Sequence, residues 1–114
     1  MDTSNIHLIE KTCTPCNGEA SALSQEVAHR LFIELNNDWV LNNTTHLYKE
    51  YKFKNFIGAM HFANQIAALA QAEAHHPNLM IAWGVCAVEI WTHKIDGLTE
   101  NDFILAAKID LLFK

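Results

Sequence analysis

The stretch His75-His76-Pro77-Asn78-Leu79-Met80-Ile81-Ala82-Trp83-Gly84-Val85-Cys86-Ala87-Val88-Glu89-Ile90-Trp91-Thr92-His93 decides the fold. Pro77 has no N–H to donate and restricts His76 to extended backbone, so a helix arriving from upstream must end here. Beyond it, Leu79–Trp83 and Val85–His93 flank Gly84, the pattern of an antiparallel hairpin. In the second strand Cys86, Val88 and Ile90 share one face. Val85, Ala87, Glu89, Trp91 and His93 share the other, since strand side chains alternate.

Upstream, Asn55 caps a helix running to about Ala74, with Phe56, Met60, Ala63, Ile66, Ala67 and Ala70 at helical spacing. Its alanines permit close packing on a sheet. Before it, Trp39–Leu41 and Leu47–Phe53 form a second hairpin across the Asn42-Asn43 turn signal, with Leu47, Lys49, Tyr51 and Phe53 on one face. A further helix starts at Ser24 as N-cap, carries Glu26 in its first turn, and stops at Asn36-Asn37-Asp38. Val27, Leu31 and Leu35, with Ala28 and Phe32, form its apolar stripe. Near the C-terminus Thr99 and Asp102 form a capping-box variant, with Leu98 and Phe103 as a hydrophobic staple. Residues 1–22 show no periodicity and read as an irregular leader. The order is α-β-β-α-β-β-α. It predicts one α+β domain over residues 1–114, a four-stranded antiparallel sheet with helices on one face.

Composition narrows the function. The 114 residues are 50% hydrophobic, enough for a packed core, and 13 acidic against 8 basic side chains give a net charge of −5. An acidic chain with Arg30 as its one arginine does not suit nucleic acid, which needs a clustered basic face. No apolar run reaches the ~20 residues that span a bilayer. Asp2, His7, Glu10 and Lys11 leave no secretory apolar segment, so a cytoplasmic location is expected. Cys13-Thr14-Pro15-Cys16 has the spacing of zinc knuckles and redox motifs, but no second ligand pair accompanies it, and an incidental or structural role is the expectation. Cys86 falls in an apolar alternation and reads as core.

Seven histidines are present, and His7, His29, His46 and His61 are scattered singly, as surface or satisfied core groups usually are. His75-His76-Pro77 differs, because two imidazoles sit where a helix breaks. His93 follows at the end of the hairpin's second strand. Three imidazoles at a helix end and a strand end suit proton transfer near neutrality, since imidazole titrates near pH 6.5. The spacing equally allows a plain helix C-cap, where cationic side chains are favoured.

The run Gln71-x-x-x-His75-His76-Pro77, then Trp83, His93 and Asp102, resembles the signature of the pterin-4a-carbinolamine dehydratase family. Lys54-Asn55-Phe56, Trp83-Gly84, Trp91-x-His93, Gly97-Leu98, Asn101-Asp102-Phe103 and the Cys13/Cys16 leader resemble its bacterial members, including those found beside phenylalanine hydroxylase. Gln71 departs from the pattern, which has an acidic or other charged residue there. The resemblance implies the same α-β-β-α-β-β-α fold. It also implies dehydration of a 4a-hydroxytetrahydropterin to the quinonoid dihydropterin, which returns the cofactor of an aromatic amino acid hydroxylase to its cycle. His75, His76 and His93 would be the catalytic and pterin-binding trio. His75 and His93 would transfer protons at the leaving hydroxyl, and His76 would mainly bind substrate. Trp83, Asp102 and Pro77 would contact the pterin, although Trp83 also reads as an edge-strand packing aromatic and Asp102 as a capping residue.

The pterin is substrate, and no metal or other cofactor is expected. Relatives imply a homodimer or homotetramer, with Val85, Ala87 and Trp91 on the outward strand face covered by another subunit. Two other readings compete: a non-catalytic protein-binding module of coactivator type, and a metal protein using the histidines with Cys13 and Cys16. Adjacent histidines such as His75 and His76 diverge, which disfavours one shared ion.

Overall fold

The chain runs α1 (Ile6–Ile9), α2 (Gln25–Leu35), β1 (Val40–Asn42), β2 (His46–Lys52), α3 (Phe56–Glu73), β3 (Asn78–Ala82), β4 (Val85–Ile90), a 3₁₀ turn (His93–Ile95) and α4 (Glu100–Leu112). These elements come from a computed structural model that describes residues 6–13, 22–35, 37–42 and 45–113. Cys16, Asn36, Asn43 and the His7 side chain lie outside the described residues. The four strands form one antiparallel sheet in the order β1-β2-β4-β3, and the helices pack on it as the sequence predicts.

The register follows from the alternation. β2 meets β4 with Leu47 opposite Ile90 and Tyr51 opposite Cys86, which aligns the apolar face of both strands. Leu47, Tyr51, Cys86, Val88 and Ile90 are all buried. Slipping the register by one residue would turn that whole set toward the other face. Gly84 makes the β3–β4 turn possible: its φ is +73°, and a Cβ there would lie 2.9 Å from the Phe53 carbonyl oxygen. Phe53 N–H in turn donates to Gly84 O at 2.8 Å, tying the turn to the end of β2.

The middle of α4 is apolar on every side because it is enclosed. Phe103 to Ala107 and Ile109 are all buried, with α1, α2 and α3 packed against it. Its one acidic group facing β2, Asp110, accepts from Lys49 Nζ at 2.8 Å, Tyr51 Oη at 2.5 Å and Trp39 Nε1 at 3.0 Å. These three donors satisfy a carboxylate held against the sheet, which would otherwise be costly to desolvate.

Three expectations need correction. The leader is not wholly irregular: α1 places Leu8 in the core against α4, and one helical turn is too short to show a period. The buried stripe of α3 is Ala59, Phe62, Ala63, Ile66 and Ala70, while Phe56 and Ala67 are exposed. With apolar residues on every side of that helix, the pattern could not select a face. Phe62 selects it by packing on Tyr51 and Phe53, with ring centroids 4.7 and 5.3 Å away. The last strand ends at Ile90, not at His93. Thr92 N–H turns back to Gly97 O at 2.8 Å, and His93 opens the 3₁₀ turn instead.

Candidate functional site

The site begins with the way α3 ends. Ala74 adopts left-handed backbone at φ 55°, its N–H reaching Gln71 O, while His75 N–H reaches Ala70 O at 3.2 Å. This is the Schellman arrangement, with alanine at the position glycine usually fills. It swings His75 and His76 off the helix axis, and Pro77, half-buried, leads the chain into β3. On the neighbouring strand the Thr92–Gly97 closure turns His93 and Lys94 toward the same place. Ala74, His75, His76, Trp91, Thr92, His93 and Lys94 line one cleft of about 320 Å³. The three histidines singled out in the sequence therefore converge. A larger hollow of about 430 Å³ beside α2, lined by Gln25, Glu26, Ala28, His29 and Leu41, brings no second titratable ring to His29.

Beneath the cleft lies Asp102, fully buried. Its Oδ1 is 2.6 Å from His75 Nε2, and its Oδ2 accepts from Thr92 Oγ1 and from Thr99 N–H, each at 2.8 Å. The capping reading of Asp102 is realised, and the side chain itself does not line the cleft. One oxygen caps α4 and the other holds an imidazole. An ionised carboxylate can only accept, so His75 donates from Nε2 and leaves Nδ1 as its other nitrogen. Thr92, not singled out from the sequence, completes this carboxylate's partners.

His76 Nε2 lies 3.1 Å from Gln71 Oε1, so the departure from the family pattern contacts the exposed second histidine and not the first. The amide oxygen can accept a proton donor but brings no charge. His93 stacks on Trp91, with ring centroids 4.2 Å apart and planes 4° from parallel.

The leader packs against the end of α3 and the start of α4. Cys13 N–H donates to Glu73 Oε1 at 2.9 Å, and Lys108 Nζ donates to Glu73 Oε2 at 3.0 Å. Burial, reinforced by the Glu73 charge, pushes the Cys13 thiol up to about 12, and it donates to Asn101 O. A thiol so protonated is a poor nucleophile and a poor metal ligand. Among the described residues no three His, Cys, Asp or Glu side chains gather where they could hold a metal ion. No helix among them is long and apolar enough to cross a membrane.

Trp83 is not brought to the cleft. It sits in the β3–β4 turn with 73% of its surface exposed, at the opposite end of the hairpin from His76 and His93. Five residues of strand put it about 16 Å away. The hairpin read from the sequence already implies this, since a turn at Gly84 sets Trp83 at the end away from His93; it is the resemblance that groups Trp83 with the histidines. Trp91 stacks on both His46 and His93.

The chain is similar to known proteins over most of its length. The family model described as Pterin 4 alpha carbinolamine dehydratase matches residues 21–112. A Rickettsia canadensis (strain McKiel) protein with the provisional name pterin-4-alpha-carbinolamine dehydratase is 61% identical over 103 residues, 90% of this chain and 94% of that one. A crystal structure from Brucella melitensis, described as a transcriptional coactivator/pterin dehydratase, superposes with a TM-score of 0.75 at 25% identity, covering 82% of this chain and all of that one. A pterin dehydratase-like protein described as a RuBisCO assembly factor in the alpha-carboxysome shares the fold, with a TM-score of 0.57 at 21% identity over 68% of this chain and 92% of that one. On the strength of the family match, which covers its sheet, its three long helices and all three cleft histidines, this chain belongs to the pterin 4 alpha carbinolamine dehydratase family.

Proposed function

We propose that this chain dehydrates a 4a-hydroxytetrahydropterin to the quinonoid dihydropterin. The observation that carries the reading is the convergence of His75, His76 and His93 on one cleft, with Asp102 bonded behind the first. The reaction breaks the C4a–O bond, releases the hydroxyl as water after it gains a proton, and removes the proton from N5 as the C4a–N5 double bond forms. Protons move and no electrons are exchanged, so imidazoles suffice and no metal or redox cofactor is required. Assistance of this kind is worth roughly 10²–10⁴-fold.

His75, its Nε2 proton held by Asp102, can give a proton from Nδ1 to the leaving hydroxyl once that nitrogen is protonated, and His93 is the second transfer group. The Asp102 carboxylate steadies the imidazolium form of His75 that makes this donation. His76, exposed and contacted by the neutral Gln71, suits substrate binding. The product would return to a hydroxylase of aromatic amino acids, and the biopterin side chain is the expected substituent. The double description of the Brucella melitensis structure supports a second reading, a protein-binding role on the same fold.

The test is the excess over the spontaneous dehydration of chemically generated 4a-hydroxytetrahydropterin. His75→Ala and His93→Ala should lower kcat, and His76→Ala should mainly raise KM. The double variant His75→Ala/His93→Ala should fall to near the spontaneous rate with an unchanged circular dichroism spectrum. If all three single variants keep both parameters, the dehydratase reading fails at its site.

A further inference from the structure

We propose that His46 is a positioning residue for His93, acting through the indole of Trp91; this rests on the dehydratase reading above. The register that pairs Leu47 with Ile90 sets His46 opposite Trp91 at the end of the sheet. His46 and Trp91 stack with centroids 4.0 Å apart and planes 8° from parallel. Trp91 stacks in the same manner on His93. Three rings from β2, the end of β4 and the 3₁₀ turn therefore form one column, and its last member lines the cleft.

The column is anchored at its far end. His46 Nδ1 lies 2.8 Å from Glu89 Oε2, so the ring donates to a carboxylate on the adjacent strand. Its other nitrogen, Nε2, is 3.8 Å from Asp96 Oδ1 at the close of the 3₁₀ turn. The Glu89 bond and the stack on Trp91 together hold the ring, while the exposed Asp96 carboxylate lies beyond hydrogen-bond distance.

His93 needs this. It is exposed and stands on a single 3₁₀ turn, and rotation about the bond to an imidazole ring is broad and poorly restrained. A proton-transfer group must nonetheless be presented in one orientation, because a misplacement of about 1 Å can cost roughly 100-fold in rate. An indole face, itself clamped between two rings, holds the His93 plane without occupying either of its nitrogens. A hydrogen bond would have consumed one of the atoms that the chemistry uses.

The stack and the chemistry are separable by experiment. His46→Ala should lower kcat by about 10-fold while KM stays within about 2-fold, as expected when orientation and not binding is lost. His46→Phe, which restores a ring against the indole, should recover at least half of the wild-type kcat. In proton spectra the His93 ring resonances should lie upfield in the wild type from the indole ring current. They should move toward unstructured values in His46→Ala and in Trp91→Ala, and stay in place in His46→Phe. Wild-type kcat together with unmoved His93 resonances in His46→Ala would overturn the proposal, as would a His46→Phe variant as impaired as His46→Ala. If the wild-type protein itself shows no rate above the spontaneous reaction, the dehydratase reading fails, while the resonance shifts still decide whether His46 orients His93.

Discussion

The Oδ1 atom of Asp102 stands 2.6 Å from Nε2 of His75, while its Oδ2 atom caps the helix on which Asp102 itself sits. One carboxylate therefore couples the start of α4 to the end of α3. The geometry of the proton-transfer site is inherited from a helix cap, and disturbance of either is felt by both.

Asp102→Asn tests that coupling. The amide oxygen can still accept from Thr99 N–H or Thr92, so the fold should survive with a modest loss of stability, about 1 kcal/mol. The His75 contact loses its charge, and the imidazolium form of His75 loses its counter-ion. kcat should fall by at least about 10-fold. Unfolding by urea together with steady-state rates checks both halves, and an unaltered kcat would show that Asp102 is only a cap.

Ala74→Gly should stabilise the protein. Ala74 sits at φ 55°, where a Cβ clashes with the following carbonyl and glycine does not. Relief of that strain is partly offset by the greater freedom of glycine in the unfolded chain, leaving a net gain of about 0.5–1 kcal/mol. Calorimetry should register a Tm higher by roughly 2–6 °C. A lower Tm would mean that the alanine methyl contributes packing in the cleft wall that exceeds its backbone cost.

Glu73 links stability to acid. Burial alone would raise its carboxyl, but the Cys13 N–H and the Lys108 ammonium outweigh burial and hold it below its usual range. A group with a depressed folded pKa contributes stability above its ordinary value and loses it as pH falls through the folded value. Tm should therefore drop on acidification below about pH 5, and more shallowly in Glu73→Gln. Parallel curves for the two proteins would show that the Cys13–Glu73–Lys108 contact adds nothing.

Exhaustive dialysis against a strong chelator should leave the dehydration rate unchanged. The reading rests on acid–base chemistry by imidazoles, and the Cys13 thiol, pushed up to about 12, remains protonated at neutral pH. For the same reason Cys13 should alkylate slowly with iodoacetamide at about pH 8 in the folded protein. A loss of activity reversed by added zinc would return the Cys13/Cys16 pair to the mechanism.

Local chemistry was legible in the sequence wherever it was strong and short-range. Asn55 and Thr99 start their helices because each offers an oxygen to N–H groups that have no helical partner, and both caps form. Pro77 ends α3, Gly84 turns the hairpin, and the alternation of Leu47 with Tyr51 and of Cys86 with Val88 and Ile90 sets the buried face of the sheet. For His75, His76, His93 and Asp102 the spacing alone left a plain helix C-cap equally open, and it is the resemblance to a family signature that singles them out. The tertiary structure alone decided which face of the alanine-rich α3 is buried, because only Phe62 meeting Tyr51 breaks that helix's near-symmetry. It alone put Leu8 of the leader into the core and set His46 onto Trp91, 45 positions away in the chain. Phe62 and Tyr51 are only 11 positions apart, but they meet across the turn from β2 into α3. Hydrophobic periodicity reports how each segment meets its surroundings. It carries no information on which distant segment supplies them, and that choice is made by packing in three dimensions.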